Sequence, residues 1–159
     1  MLELHPLCEL FVQGAQDLGV RSNPDYNGES QEGVSYYQRT ILNGRRHSAA
    51  TAFLDPIRNR ANLRIITGAL VERLTFDGKQ VKGVVFQKNQ RTEEVRAGKE
   101  ILLSAGSINS PKILQLSGVG NAEFLRNLGI EVIHDLKGVG EGFQDHYAIR
   151  VANRVKAVS

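Results

Sequence analysis

The sequence predicts an α/β chain with helix and strand mixed (α+β), and three observations carry that prediction. The run Ile101-Leu102-Leu103-Ser104-Ala105-Gly106 passes from consecutive apolar residues through a small-residue turn into a helical stretch. A strand that ends in Ala-Gly and feeds a helix is where open α/β sheets take ligands. Two β-rich runs, Leu70 to Phe76 and Val81 to Phe86, flank Asp77-Gly78, a dipeptide that favours a hairpin. Leu7, Leu10, Phe11, Ala15 and Leu18 recur at the spacing of one helix face.

In chain order, that first helix runs over Leu7 to Leu18 and Gly19 stops it. Ser22 to Gly33 is a loop, rich in turn residues at Asn23-Pro24-Asp25 and Asn27-Gly28. Val34 to Ile41 reads as a strand, favoured by Tyr36, Tyr37 and Thr40. Ser48 can cap a short helix through Leu54. Short strands follow at Leu63 to Ile66, Leu70 to Phe76 and Val81 to Phe86, and the polar run Thr92 to Arg96 completes a meander. Glu100 to Ser104 has the continuous apolar character of a strand covered on both faces. Ser110 and Asn121 are expected to cap two short helices, the first entered at Pro111 and ended by Gly118, the second ended by Gly129. Ile130 to Ile133 and Tyr147 to Val155 are the last strands expected. No internal repeat or linker interrupts the chain, so one compact unit is the simplest expectation.

Composition sets bounds. A chain of 159 residues can bury roughly two-thirds of its unfolded surface. Its 41% apolar and 23% charged content is that of an ordinary globular protein. The net charge of +3 and pI near 9.2 suit a mixed-sign surface. Arg45, Arg46, Arg58 and Arg60 cluster without interleaved aromatics, which gives little support to nucleic-acid binding. The single cysteine, Cys8, rules out an internal disulfide framework and is expected to be a buried structural thiol. No run reaches the apolar length of a membrane-spanning helix, and no signal-peptide pattern opens the chain. The expected location is cytoplasmic, and the sequence leaves the oligomeric state open.

The stretch Gly106-Ser107-Ile108-Asn109-Ser110-Pro111-Lys112-Ile113-Leu114-Gln115-Leu116-Ser117-Gly118-Val119-Gly120 closely resembles the second signature of the GMC (glucose–methanol–choline) oxidoreductases. Other segments are similar to that family in the same order. Asn43-Gly44-Arg45-Arg46-His47-Ser48-Ala49-Ala50 resembles its NGxRxSSA stretch, and Asn62 to Gly78 resembles its strand pair before the adenine site. Gly129 to His146 is similar to GIxVxxDLPGVGxNLQDH, with Lys137 in the place of Pro and Gly142-Phe143 in the place of Asn-Leu. The likeness runs from about Leu7 to His146.

The resemblance implies FAD as cofactor and a small alcohol as substrate. It places residues 1–146 in part of an FAD-binding, three-layer Rossmann-like domain with a β-meander, with substrate-domain elements near 34–50. Residues 147–159 would start a substrate-domain strand. By the same resemblance Ala105 and Gly106 lie beside the adenosine part of FAD, where glycine admits a close backbone approach. Val71 would offer its backbone groups to the adenine ring. Read without the family, Ala105-Gly106 is a plain strand-to-helix turn and Val71 a core valine.

The family's Gly-x-Gly-x-x-Gly loop, which seats the FAD pyrophosphate on a helix N-terminus, has no match here. The nearest run, Gly138-Val139-Gly140-Glu141-Gly142-Phe143, ends in Phe143. The family's C-terminal catalytic histidine is also unmatched, so no catalytic residue is assigned. The chain is therefore expected to be an internal piece of a GMC flavoenzyme that is inactive alone. The alternative is a stand-alone binding or interaction module of the same ancestry. Gln144-Asp145-His146 reads as a hinge more than as a proton-transfer pair, because adjacent side chains on a strand diverge. Neither a nucleophile elbow nor a metal-ligand cluster is present.

Overall fold

The computed structural model describes residues 5–149 and Val151. The chain divides into two units, Met1–Ile65 and Ile66–Ser159. The expectation of one compact unit is corrected here. The junction Ile65-Ile66 carries no Pro- or Gly-rich linker, so composition does not mark it.

The first unit opens with helix α1 (Pro6–Asp17). Pro6 suits the first helical turn, where its missing N–H costs nothing, and His5 Nδ1 accepts the Leu7 N–H at 3.2 Å. Gly19, at φ +89, ends the helix. The expected apolar face forms but lies open, with Phe11 73% exposed and Leu18 87% exposed. Strands β1 (Ile41–Leu42) and β2 (Arg45–Arg46) pair antiparallel around Asn43 and Gly44, both left-handed, as a tight hairpin turn requires. Of the expected strand Val34 to Ile41 only the two ends pair: Val34 bridges Ser22 in parallel and Ile41 enters β1. Tyr36 and Tyr37 between them lie in no strand among the described residues. Ser48 does cap the next turn, its Oγ accepting the Thr51 N–H at 3.3 Å. That turn is π-helical over Ala50–Leu54 and closes in a 3-10 turn, Asp55–Ile57. Residues 63–66 lie in no strand among the described residues.

The second unit is built on an antiparallel meander of β3 (Ala69–Asp77), β4 (Gln80–Lys88) and β5 (Arg91–Arg96). Asp77 pairs with Gln80, which leaves Gly78-Lys79 as a two-residue loop with Gly78 at φ +57. The second loop, Asn89-Gln90, has φ +49 and +63, the mirror-image turn whose twist matches the strands. Register slips between Val71 and Arg73, so Glu72 is a bulge.

Helix α2 (Gly106–Leu116) lies against β3. It begins before Ser110, contrary to the expected cap. The left-handed Gly106 turns the chain into the helix early, and Ser110 Oγ accepts the Ala105 N–H from inside it at 3.0 Å. Gly118 at φ +85 ends α2 as expected. Strand β6 (Val119–Gly120) follows, then α3 (Ala122–Asn127), capped by Asn121 Oδ1 at 3.0 Å and 3.1 Å from the Glu123 and Phe124 amides. Gly129 closes α3. Strand β7 (His134–Asp135) runs parallel to β6. It sits just beyond the expected Ile130 to Ile133, because the Gly118 carbonyl accepts both the Ile133 and His134 amides where the chain crosses. Ile113, Val119, Ala122 and Leu125 are buried where α2, β6 and α3 meet, and Leu125 is wholly enclosed.

Glu100 to Ser104 lies in no strand among the described residues, and Leu102 is 81% exposed. Of the expected strand Tyr147 to Val155, residues 147–149 and 151 are irregular and the rest lie outside the described residues.

Candidate cofactor site on the free edge of the sheet

Among the described residues strand β3 pairs only with β4 and is an edge strand. Leu74 turns its N–H away from β4 and donates it to Ser117 Oγ at 2.8 Å. Backbone groups on a strand alternate sides. Counting back from Leu74 across the bulged Glu72, Val71, which stands opposite Phe86, also directs its N–H and C=O to the free edge. Its side chain is half-buried. A strand edge of this kind presents one donor and one acceptor to a planar heterocycle.

The other element is the start of α2. Ala105 precedes the helix, is exposed, and leaves room in front of the chain. Gly106 stands at φ +88, a backbone angle that disfavours any side chain, while a Cβ there would meet no atom within 4 Å. Glycine is required by conformation, not by crowding from within the chain. The first N–H groups of a helix lack intrahelical acceptors and carry its positive end. Helix α2 packs on β3, the strand that carries Val71, and Ala105 and Gly106 stand at the start of that helix.

The sequence did not single out what holds this assembly. Ser117 is buried, accepting from Leu74 and donating to the Ile113 carbonyl at 2.5 Å. Gln115 donates to the Val139 carbonyl at 3.1 Å and ties the Gly138–Gly142 loop to α2. Between this loop and the first half of α2 lies a cavity of about 790 Å³ lined by Ser107, Pro111, Lys112, Gln115, Gly140 and Phe143. The only hint in the sequence was that Gln115 and Ser117 fall inside the signature run.

Asp145 and His146 form no proton-transfer pair. Asp145 Oδ1 accepts the His146 backbone N–H at 2.8 Å, and both residues are exposed. No group of three metal-ligating side chains occurs among the described residues. No helix among them is long and apolar enough to cross a membrane.

In the first unit, α1 and residues 35–41 enclose an apolar cavity of about 650 Å³ lined by Leu7, Cys8, Phe11, Tyr36, Tyr37 and Ile41. Cys8 is a free, exposed thiol, which corrects the expectation of a buried one. The helix face that would have covered it is open. The Tyr36 hydroxyl is out of water with no hydrogen-bond partner of good geometry. Loss of solvent first, then the neighbouring Glu9 carboxylate and Cys8, push its pKa from 10.0 to about 12.

Comparison with known proteins agrees with the sequence motifs. The GMC oxidoreductase family profile matches residues 1–148. The chain is 46% identical over 152 residues to the oxygen-dependent choline dehydrogenase of Staphylococcus saprophyticus, covering 96% of this chain and 27% of that protein. It is 44% identical over 147 residues to human mitochondrial choline dehydrogenase, covering 92% and 25%. Among solved structures, pyridoxine 4-oxidase from Mesorbium loti superposes with a TM-score of 0.77 at 35% identity, over 84% of this chain and 26% of that one. An FAD-dependent oxidoreductase from Chaetomium thermophilum matches with the same score and identity, over 84% and 24%. The chain thus spans about a quarter of the length of these relatives. Motif order, profile match and superposition agree that the chain belongs to the GMC oxidoreductase family.

Proposed function

We propose that this chain supplies the adenosine-binding part of an FAD site in an enzyme that oxidises a small alcohol. The choline dehydrogenases it is similar to make choline-like alcohols the first substrates to test. The observation that carries the reading is the pairing of a free β-strand edge at Val71 with the left-handed, uncrowded turn at Ala105-Gly106 on the helix packed against that strand.

These residues fit the adenosine half of FAD. Val71 would hold the adenine edge through its backbone N–H and C=O, so the ring is read while the side chain stays packed. Ala105 and Gly106 would let the ribose approach the backbone, since no Cβ projects from Gly106. The start of α2 would add the favourable end of its dipole to nearby phosphate charge. The flavin, when bound, is the group that accepts a hydride equivalent from the alcohol carbon. This chain's contribution is binding and orientation. Its sequence contains no Gly-x-Gly-x-x-Gly loop, so its own hold on the cofactor is expected to be weak and it is not expected to turn over alone.

The test is an equilibrium titration of the purified chain with FAD and with FMN, which lacks adenosine. Binding of FAD but not FMN supports the reading. Equal binding of both, or binding of neither, contradicts it.

A further inference from the structure

The signature run ends in Ser117-Gly118-Val119-Gly120, residues given no part above in holding FAD. We propose that Ser117 is a positioning residue for the cofactor site: its hydroxyl ties the free edge of β3 to the end of α2 and so fixes where the Val71 edge stands relative to Gly106. This rests on the reading of Val71, Ala105 and Gly106 as the adenosine site.

The geometry is specific. Ser117 donates its hydroxyl hydrogen back to Ile113, one turn earlier, which fixes the rotamer and aims the oxygen's lone pairs outward. The Leu74 N–H fills that acceptor position at 2.8 Å, and the bond is buried. Leu74 and Val71 share one strand edge, with only the bulged turn between them. On its other side β3 is held by β4 alone, so this bond anchors the edge that would meet adenine. The base on which Ser117 stands is rigid. A Cβ on Gly118 would lie 2.4 Å from the Glu131 carbonyl oxygen, and the Gly118 carbonyl binds the amides of Ile133 and His134 at 2.8 Å and 3.1 Å. Helix α2 therefore acts as a strut: Gly106 begins it, and Ser117 follows its last turn and holds the strand. Bulges of the kind at Glu72 re-aim a strand locally, and an edge with such freedom needs an external tether.

The experiment compares wild type, Ser117→Ala, Ser117→Thr and Asn121→Ala. Each is measured for thermal stability, for amide exchange at Leu74, and for FAD affinity by titration. Ser117→Ala is expected to speed exchange at Leu74, whose N–H it leaves without its acceptor, and to weaken FAD about tenfold, the effect of a lost buried acceptor. Ser117→Thr keeps the hydroxyl and should bind FAD like wild type. Asn121→Ala removes the α3 cap, whose bonds go to Glu123 and Phe124 and not to β3, and should lower stability while leaving FAD affinity unchanged. That contrast separates positioning from mere stability. Wild-type FAD affinity in Ser117→Ala, or an equal loss in Asn121→Ala, overturns the inference alone. Failure of wild type to bind FAD at all overturns the adenosine-site reading and this inference with it. Should Ser117→Ala not fold, Ser117→Cys, whose thiol is only a weak acceptor, takes its place with the same expectations.

Discussion

Gln115 reaches from helix α2 to Val139, its side-chain amide donating to that carbonyl at 3.1 Å. The same amide nitrogen lies 2.6 Å from where a Cβ on Gly140 would stand, and Gly140 sits at φ +85. A methyl group on Gly140 would have to push the Gln115 amide off the Val139 carbonyl. Gly140→Ala should cost about 1–3 kcal/mol from overpacking and left-handed strain. In a Gln115→Ala background the same change should cost less, because the clash partner is gone. A double-mutant cycle by denaturant unfolding reads the difference.

Two other glycines separate crowding from conformation. Gly118→Ala would place a methyl 2.4 Å from a backbone oxygen at φ +85, so neither neighbour nor angle can yield easily. A loss of about 3 kcal/mol or more is expected. The Cβ of Gly106→Val meets no atom within 4 Å, so the angle, φ +88, is the obstacle it faces. It should cost about 1–2 kcal/mol and stay folded, yet weaken FAD. Melting curves read beside FAD titrations distinguish the two variants.

Leu125 is the one large side chain fully enclosed among the described residues. Leu125→Ala leaves a cavity between α2, β6 and α3 and should destabilise the second unit by about 2–5 kcal/mol. Phe11→Ala removes a ring that is 73% exposed and should change stability by less than about 0.5 kcal/mol. Chemical denaturation of both variants checks the contrast.

Tyr36 gives a pH signature. Folding holds its phenol neutral, raising its pKa from 10.0 to about 12. The unfolded chain therefore loses this proton first. Tyr36 contributes its stability in full below pH 10 and loses it as the pH rises to about 12. Tyr36→Phe should flatten that part of the stability profile. Phenolate absorbance against pH, with unfolding at each pH, is the measurement.

Local chemistry was legible in the sequence. Gly78, Gly118 and Gly129 end elements at left-handed angles as their positions suggested, and Asn121 caps α3. The meander followed from alternation and turn residues. What sequence could not show is pairing. Tyr36 and Tyr37 and the run Glu100 to Ser104 have strand composition, yet a strand exists only where a partner strand runs alongside, and these residues lie in no ladder among the described residues. Cys8 and the α1 face were misread for a similar reason. Their periodicity predicts a buried side, but burial depends on what lies opposite. For the candidate site, motif order pointed to Val71, Ala105 and Gly106. The tether at Ser117 needed the fold, because Leu74 lies 43 residues away in the chain.

The most direct measurement is an amide-resolved titration of the chain with AMP, which carries only the adenosine end of FAD. The account predicts that the resonances of Val71, Ala105 and Gly106 move together with one saturating curve, while those of Asn43 and Gly44 in the β1–β2 hairpin stay still. Movement confined to the cavity of α1 and residues 35–41, or no movement at Val71 and Gly106 at saturating AMP, would contradict it.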